Sequence, residues 1–318
     1  MNTFLRLIRF KSLIIIAFTQ YTMRYAVIFP MLKAKGYVSQ FSDLHFFLLV
    51  LSTILLAASG YAINNYFDTR FDLINKPEEV ISGRLFNRRH VMNIHLILSI
   101  LGVLVGFYVS WQIHLWKLLY IYILIAGLLW FYSSTYKGMF LIGNLIVAIL
   151  TAIIPLMPVL YEIPPLNETY GEVLLSLKDN FNDIFFWVCG FSAFVFLSTF
   201  NREVIKDAED FEGDRAYGSR SLPVVAGLSF TKIFTAVLSA LTAGLVLLTY
   251  FLYIANSAAG GTLALVYIVV TLVLPSLYLS VRLLRIESKK GWSLASKFSQ
   301  IIILSGICFA FIIYYKYL

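Results

Sequence analysis

Six side chains with metal-binding chemistry fall into two short series. Asn64, Asp68 and Asp72 recur every fourth residue in "NNYFDTRFD", and Asp207, Asp210 and Asp214 follow one another at intervals of three and four in "DAEDFEGD". A step of four residues turns a helical side chain by only about 40°, so each series is expected to form one oxygen-rich helical stripe. Carboxylate and amide oxygens are hard ligands suited to Mg²⁺, an ion that keeps several waters and bridges protein acids to substrate phosphates. Two such stripes could each hold one ion and share a diphosphate. The competing reading is a solvated loop in which Arg70, Arg202, Lys206 and Arg215 neutralise the acids. Either way a positive partner is required, because neighbouring acids repel and the C-terminal end of a helix disfavours each carboxylate by about 0.3–1 kcal/mol.

The elements that carry these stripes are apolar. Of 318 residues, 60% are hydrophobic and 13% charged, a balance that fits an integral membrane protein and not a soluble domain. Runs of about 20 apolar residues, enough to cross the hydrocarbon core, lie at 11–32, 43–66, 91–110, 115–133, 139–161, 182–201, 228–254, 260–283 and 296–316. They are apolar on all sides, which excludes the alternating pattern of barrel strands. The first run has basic flanks and no small-residue cleavage site, so it reads as a retained span. Cys189 and Cys308 both sit in apolar runs and suit packing, not a disulfide framework. The expected fold is an all-α polytopic membrane protein. The first stripe ends the second helix and the second stripe ends the sixth, so the nine helices read as two diverged four-helix repeats plus one, with cap loops on the cytoplasmic side.

Orientation follows from the basic residues. With the N-terminus inside, 19 of the 25 Lys and Arg residues fall on inner segments, the bias expected of cytoplasmic loops. The net charge of +8 therefore suits anionic lipid headgroups or an anionic substrate and gives no reason to invoke nucleic acid. The four histidines have no metal-ligand spacing, and no Ser-His-Asp, P-loop or GxGxxG pattern is present. A cation-coupled transporter would also keep acids beside a helix bundle, but near the bilayer midplane; these acids fall at the cytoplasmic rim.

"NNYFDTRFD" resembles the NxxxDxxxD motif, and "DAEDFEGD" the DxxDxxxD motif, of the UbiA superfamily of membrane-embedded prenyltransferases. The likeness extends over nearly the whole chain, 1–318, with motif one at 64–72 and motif two at 207–214. "WFYSSTYKG" is similar to the family's YSxxLK stretch, which marks Tyr132, Ser133 and Lys137. The surroundings of motif two, "REVIKDAEDFEGDRAYGSRSLPV", look most like the branch that forms the second ether bond of archaeal-type lipids, with geranylgeranylglyceryl phosphate as acceptor. Prenylation of an aromatic quinone precursor is the alternative within the family.

The resemblance implies a Mg²⁺-dependent enzyme of the cell membrane that takes a prenyl diphosphate and a lipophilic acceptor. It implies metal ligation by Asn64, Asp68, Asp72, Asp207, Asp210 and Asp214, of which Asp68, Asp72, Asp210 and Asp214 are catalytic candidates. Lys137, Lys206, Arg70 and Arg84 are candidate diphosphate contacts. Arg24, an intramembrane charge, is a further candidate for substrate phosphate, its alternative being a pair with a buried acid. Tyr66 and Tyr132 belong to an aromatic cluster, with Trp130, that could line the isoprenoid path and face an allylic cation.

Overall fold

The computed structural model of the chain describes residues 3–75, 81–83 and 85–317, and the side chains of all of these except Arg70, Phe71, Asp72, Ile74 and Asn75. The described residues form no strand, only helices joined by short connections. Nine helices among them are long and apolar enough to cross a membrane. They are α1 (Phe10–Ala34), α2 (Asp43–Asn75, its apolar part Asp43–Thr69), α3 (Arg88–Gln112), α4 (Trp116–Tyr136), α5 (Ile142–Leu177), α6 (Asn182–Glu209), α7 (Leu222–Ile254), α8 (Thr262–Leu284) and α9 (Lys289–Tyr317). The all-helical expectation and all nine spans are met.

The chain separates into two compact units. The first contains residues 1–20, 39–139 and 160–179; the second contains residues 21–38, 140–159 and 180–318. Within the first, close approach of helices rests on glycine. A Cβ at Gly102 would collide with Leu56, one at Gly60 with Leu129, and one at Gly106 with the ring of Tyr122, the small-residue contact by which helices associate in a medium as apolar as their side chains. Ser52 donates to the Gly102 carbonyl at 2.6 Å. Ser110, Tyr122 and Tyr161 close a buried hydroxyl triad at 2.7 Å per contact, which satisfies three polar groups that the hydrocarbon would otherwise penalise. In the second unit Phe194 fills the place a Gly306 side chain would occupy, Ser192 donates to the Ala152 carbonyl at 2.6 Å, and Asn201 donates to Ser239 at 2.7 Å.

Helix ends are set by their caps. Asn87 adopts extended backbone and accepts from the Arg89 amide at 3.2 Å, starting α3, and Ser288 accepts from the Gly291 amide at 3.2 Å to start α9, each satisfying one donor orphaned at a helix start.

One span differs from its expected length. Sequence reading ends the fifth run near residue 161, ahead of the proline pair in "YEIPPLNETYGEV", whereas α5 continues to Leu177. Packing overrides the prolines. Tyr161 and Leu166 are buried, the Tyr161 ring lies 5.8 Å from that of Phe41, Glu162 accepts from Ser39, and Gln40 donates to the Tyr170 hydroxyl at 3.2 Å, all within the first unit.

Candidate active site

Motif one begins within the last turns of the apolar part of α2. Asn64 and Asp68, one turn apart, meet as expected: the Asn64 amide nitrogen donates to Asp68 Oδ2 at 2.7 Å. A third group joins them. Lys137 Nζ forms an ion pair with the same Asp68 oxygen and donates to Asn64 Oδ1 at 3.3 Å. Asp68 is 5% exposed, so its charge needs such a partner. Lys137 reaches it from the end of α4, whose last turn, Tyr132–Tyr136, is a π-helix that closes with the Lys137 amide on the Tyr132 carbonyl at 2.9 Å. Single π turns widen a helix by one residue and re-aim the side chains beyond them. Tyr132 thus opens the turn that delivers the lysine.

An aromatic series flanks this trio. Trp130 stands edge-on to Phe67 at 6.1 Å and faces His95 at 5.5 Å, and His95, buried, is tied through Nδ1 to the Ser59 carbonyl at 3.0 Å. Tyr66 goes elsewhere. Two residues from both Asn64 and Asp68, it points to the opposite side of α2, packs against Leu7, Ala62, Ile81 and Val91, and has the Arg88 guanidinium 4.4 Å above its ring. Its ring therefore lies on the side of α2 away from Asn64 and Asp68.

Motif two differs from a single stripe. The α6 helix carries Lys206 and Asp207 and stops at Glu209; Asp210 takes φ −94°, ψ 10°, and a short helix, Phe211–Ala216, carries Asp214 onward. The backbone bond from the Asp214 amide to the Asp210 carbonyl, 3.1 Å, keeps the two aspartates one turn apart across the break. Each of the outer acids has a neutral donor: Asp207 Oδ2 accepts from Asn144 at 2.7 Å, and Asp214 Oδ2 from Ser221 at 2.9 Å. Glu203, 8% exposed, accepts from Arg202 at 2.7 Å and lies 3.5 Å from Lys206 Nζ.

Sequence reading gave Asn144, Glu203 and Ser221 no role at the site. The signal for Asn144 was a lone amide inside "IGNLIVAIL", in a run that offers it no water. Replacing Asn144 with leucine should leave Asp207 without that donor and lower activity about 10–100-fold, the usual loss when a group supporting a metal ligand is removed. Turnover by the purified variant checks this, with its melting temperature as the control for fold; activity within twofold of the wild type would separate Asn144 from the site.

Arg24 is buried in a π-helical turn of α1, its guanidinium 4.8 Å from the Phe29 ring centroid and 5.5 Å from that of Tyr25. It stands 14 residues into α1, roughly 20 Å along the helix. The side chains of Asp72 and Arg70, and the whole of Arg84, lie outside the described residues.

Among the described residues no three His, Cys, Asp or Glu side chains gather into one cluster. The donor set nevertheless fits a hard cation. In motif one the amide oxygen of Asn64 and a carboxylate oxygen of Asp68 already converge on a cation, the Lys137 ammonium, and in motif two Asp207 and Asp214 each present oxygens held by a neutral donor. Oxygen ligands of this kind suit Mg²⁺.

Nine apolar helices with acidic ends on the second and sixth define a multi-pass membrane protein. The UbiA prenyltransferase family matches residues 26–314, and the chain belongs to that family: it is a prenyltransferase. A digeranylgeranylglyceryl phosphate synthase of Methanobrevibacter smithii is 29% identical over 214 residues, 67% of this chain and 70% of that one. A solved structure concerned with digeranylgeranylglyceryl phosphate synthase in membranes superimposes with a TM-score of 0.63 at 26% identity, over 97% of this chain and 98% of the other. A UbiA homologue of Archaeoglobus fulgidus, bound to DMAPP and Mg²⁺, shares the fold with a TM-score of 0.54 at 14% identity, over 97% and 99% of the two chains.

Proposed function

We propose that the chain, as one prenyltransferase domain, moves a geranylgeranyl group from its diphosphate to geranylgeranylglyceryl phosphate and so forms an ether lipid. The observation that carries this is the convergence of Asn64, Asp68 and Lys137, which puts two metal-type oxygens and a phosphate-type cation at one point. In the reaction the bond between C1 of the prenyl chain and the diphosphate oxygen breaks, C1 bonds to the glycerol hydroxyl oxygen, and the hydroxyl proton passes to the released diphosphate. Bound Mg²⁺ neutralises the charge that collects on the departing diphosphate.

Asn64, Asp68 and Asp72 of motif one and Asp207, Asp210 and Asp214 of motif two are the proposed ligands. Asn144 and Ser221 hold two of the motif-two carboxylates. Lys137, Lys206, Arg70 and Arg84 are the proposed contacts to diphosphate and to the acceptor's own phosphate. Trp130, steadied by His95 and Phe67, offers a ring face to the allylic carbon as positive charge builds there. The N-terminus and both motifs face the cytoplasm, a reading supported by the 19 inner lysines and arginines; cysteines placed at Arg88, Ala216 and Lys289, all exposed, should react only with reagent applied from that side.

The acceptor is tested by competition. Purified protein given geranylgeranyl diphosphate with equal amounts of geranylgeranylglyceryl phosphate and a hydroxybenzoate should yield the ether product by mass spectrometry. Robust prenylation of the aromatic acid with no ether lipid would overturn the acceptor assignment.

A further inference from the structure

We propose that Lys137 is a displaceable counter-cation that holds the motif-one ligand set in its metal-free state and is handed to the diphosphate when the metal enters. The inference rests on the metal role proposed above for Asn64 and Asp68. Both of those residues present their oxygens to the Lys137 ammonium, Asp68 through an ion pair and Asn64 through Oδ1 at 3.3 Å. The Asn64 amide donates to the same Asp68 oxygen at 2.7 Å, which fixes Oδ1 toward the lysine. A carboxylate 5% exposed has desolvation against it, and the ammonium offsets that cost.

Mg²⁺ approaches its oxygens to about 2.0–2.1 Å and carries twice the charge, so it and the ammonium cannot share Asn64 Oδ1 and Asp68 Oδ2. One must leave, and the lysine is built to do so. Its side chain is 39% exposed, it is the residue next to Gly138, and its four-carbon stem allows the ammonium to swing without moving the backbone. Once displaced, it remains beside the metal with its charge unmatched, where the metal-bound diphosphate is the anion at hand. Metal entry and diphosphate capture are thereby coupled through one side chain, and the metal comes first. Competition by the tethered ammonium lowers the apparent metal affinity of the empty protein, as any occluded ground state does.

The test uses Mn²⁺ alone as the probe, with free ion read by electron paramagnetic resonance on the full-length protein in lipid nanodiscs. Lys137→Met should bind Mn²⁺ at least about fivefold more tightly than the wild type; Lys137→Gln should behave the same way, and Lys137→Arg, which keeps a cation in place, should not tighten. Arg88→Gln removes a charge from the Tyr66 ring and not from Asp68, so it should leave Mn²⁺ affinity within twofold. At saturating Mn²⁺ the order reverses: inorganic diphosphate should bind Lys137→Met at least about fivefold more weakly than wild type. A residue that merely supports the fold would shift both affinities in the same direction. Mn²⁺ affinity that is unchanged or weakened in Lys137→Met and Lys137→Gln, or raised equally in Arg88→Gln, would overturn the exchange alone. Wild-type protein that binds no Mn²⁺ would overturn the metal assignment with it.

Discussion

Replacing Asp68 with asparagine is expected to lower prenyl transfer by at least about 10²–10³-fold, the scale of losing one preorganised electrostatic group, without unfolding the protein. Asp68 Oδ2 is the point on which Asn64 and Lys137 both converge. The amide is nearly isosteric, so α2 packs as before, but it carries no charge to hold a divalent ion or to anchor the lysine. The lost interaction is one with the leaving diphosphate as its C–O bond opens, so kcat and kcat/KM should fall together. Steady-state rates with the melting temperature measured on the same preparation decide the matter. A variant retaining more than a tenth of wild-type turnover would remove Asp68 from the reacting centre.

Stripping divalent metal should have an effect of the same size. Without metal, the motif oxygens have no divalent cation to bridge them to a diphosphate. Chelation is therefore expected to bring turnover to background and added Mg²⁺ to restore it, with the melting temperature little changed, because Lys137, Asn144 and Ser221 continue to satisfy Asp68, Asp207 and Asp214. Turnover undiminished by chelator would contradict a metal role for both motifs.

The fold was legible because hydrocarbon leaves a chain few choices: backbone polar groups must pair within each segment, so long apolar runs become helices and their count follows. The motifs were legible because the four-residue step is a property of helices that holds beyond the membrane edge. Packing set the features that escaped. The α5 extension depends on Tyr161 and Glu162 finding partners in distant sequence, Phe41 and Ser39. The break at Asp210 has no proline or glycine at that residue to announce it. Tyr66 and Phe67 are neighbours in sequence and both aromatic, yet a rotation of about 100° per residue sends one to the cap beneath Arg88 and the other to Trp130. Lys137 was recognised through its likeness to the family's YSxxLK stretch as a candidate diphosphate contact, but its seat on Asp68 arises from a π turn that sequence patterning does not reveal.

In the proposed reaction this chain cleaves a prenyl diphosphate and passes the prenyl group to a glyceryl lipid. That transfer is tested most directly by tracing geranylgeranyl diphosphate labelled at C1 through purified wild-type protein supplied with Mg²⁺ and geranylgeranylglyceryl phosphate. The label is expected to leave in an ether-linked lipid, with one diphosphate released for each ether formed. Diphosphate released with the label recovered only as free prenyl alcohol, or label that stays on the diphosphate, would contradict the proposed transfer.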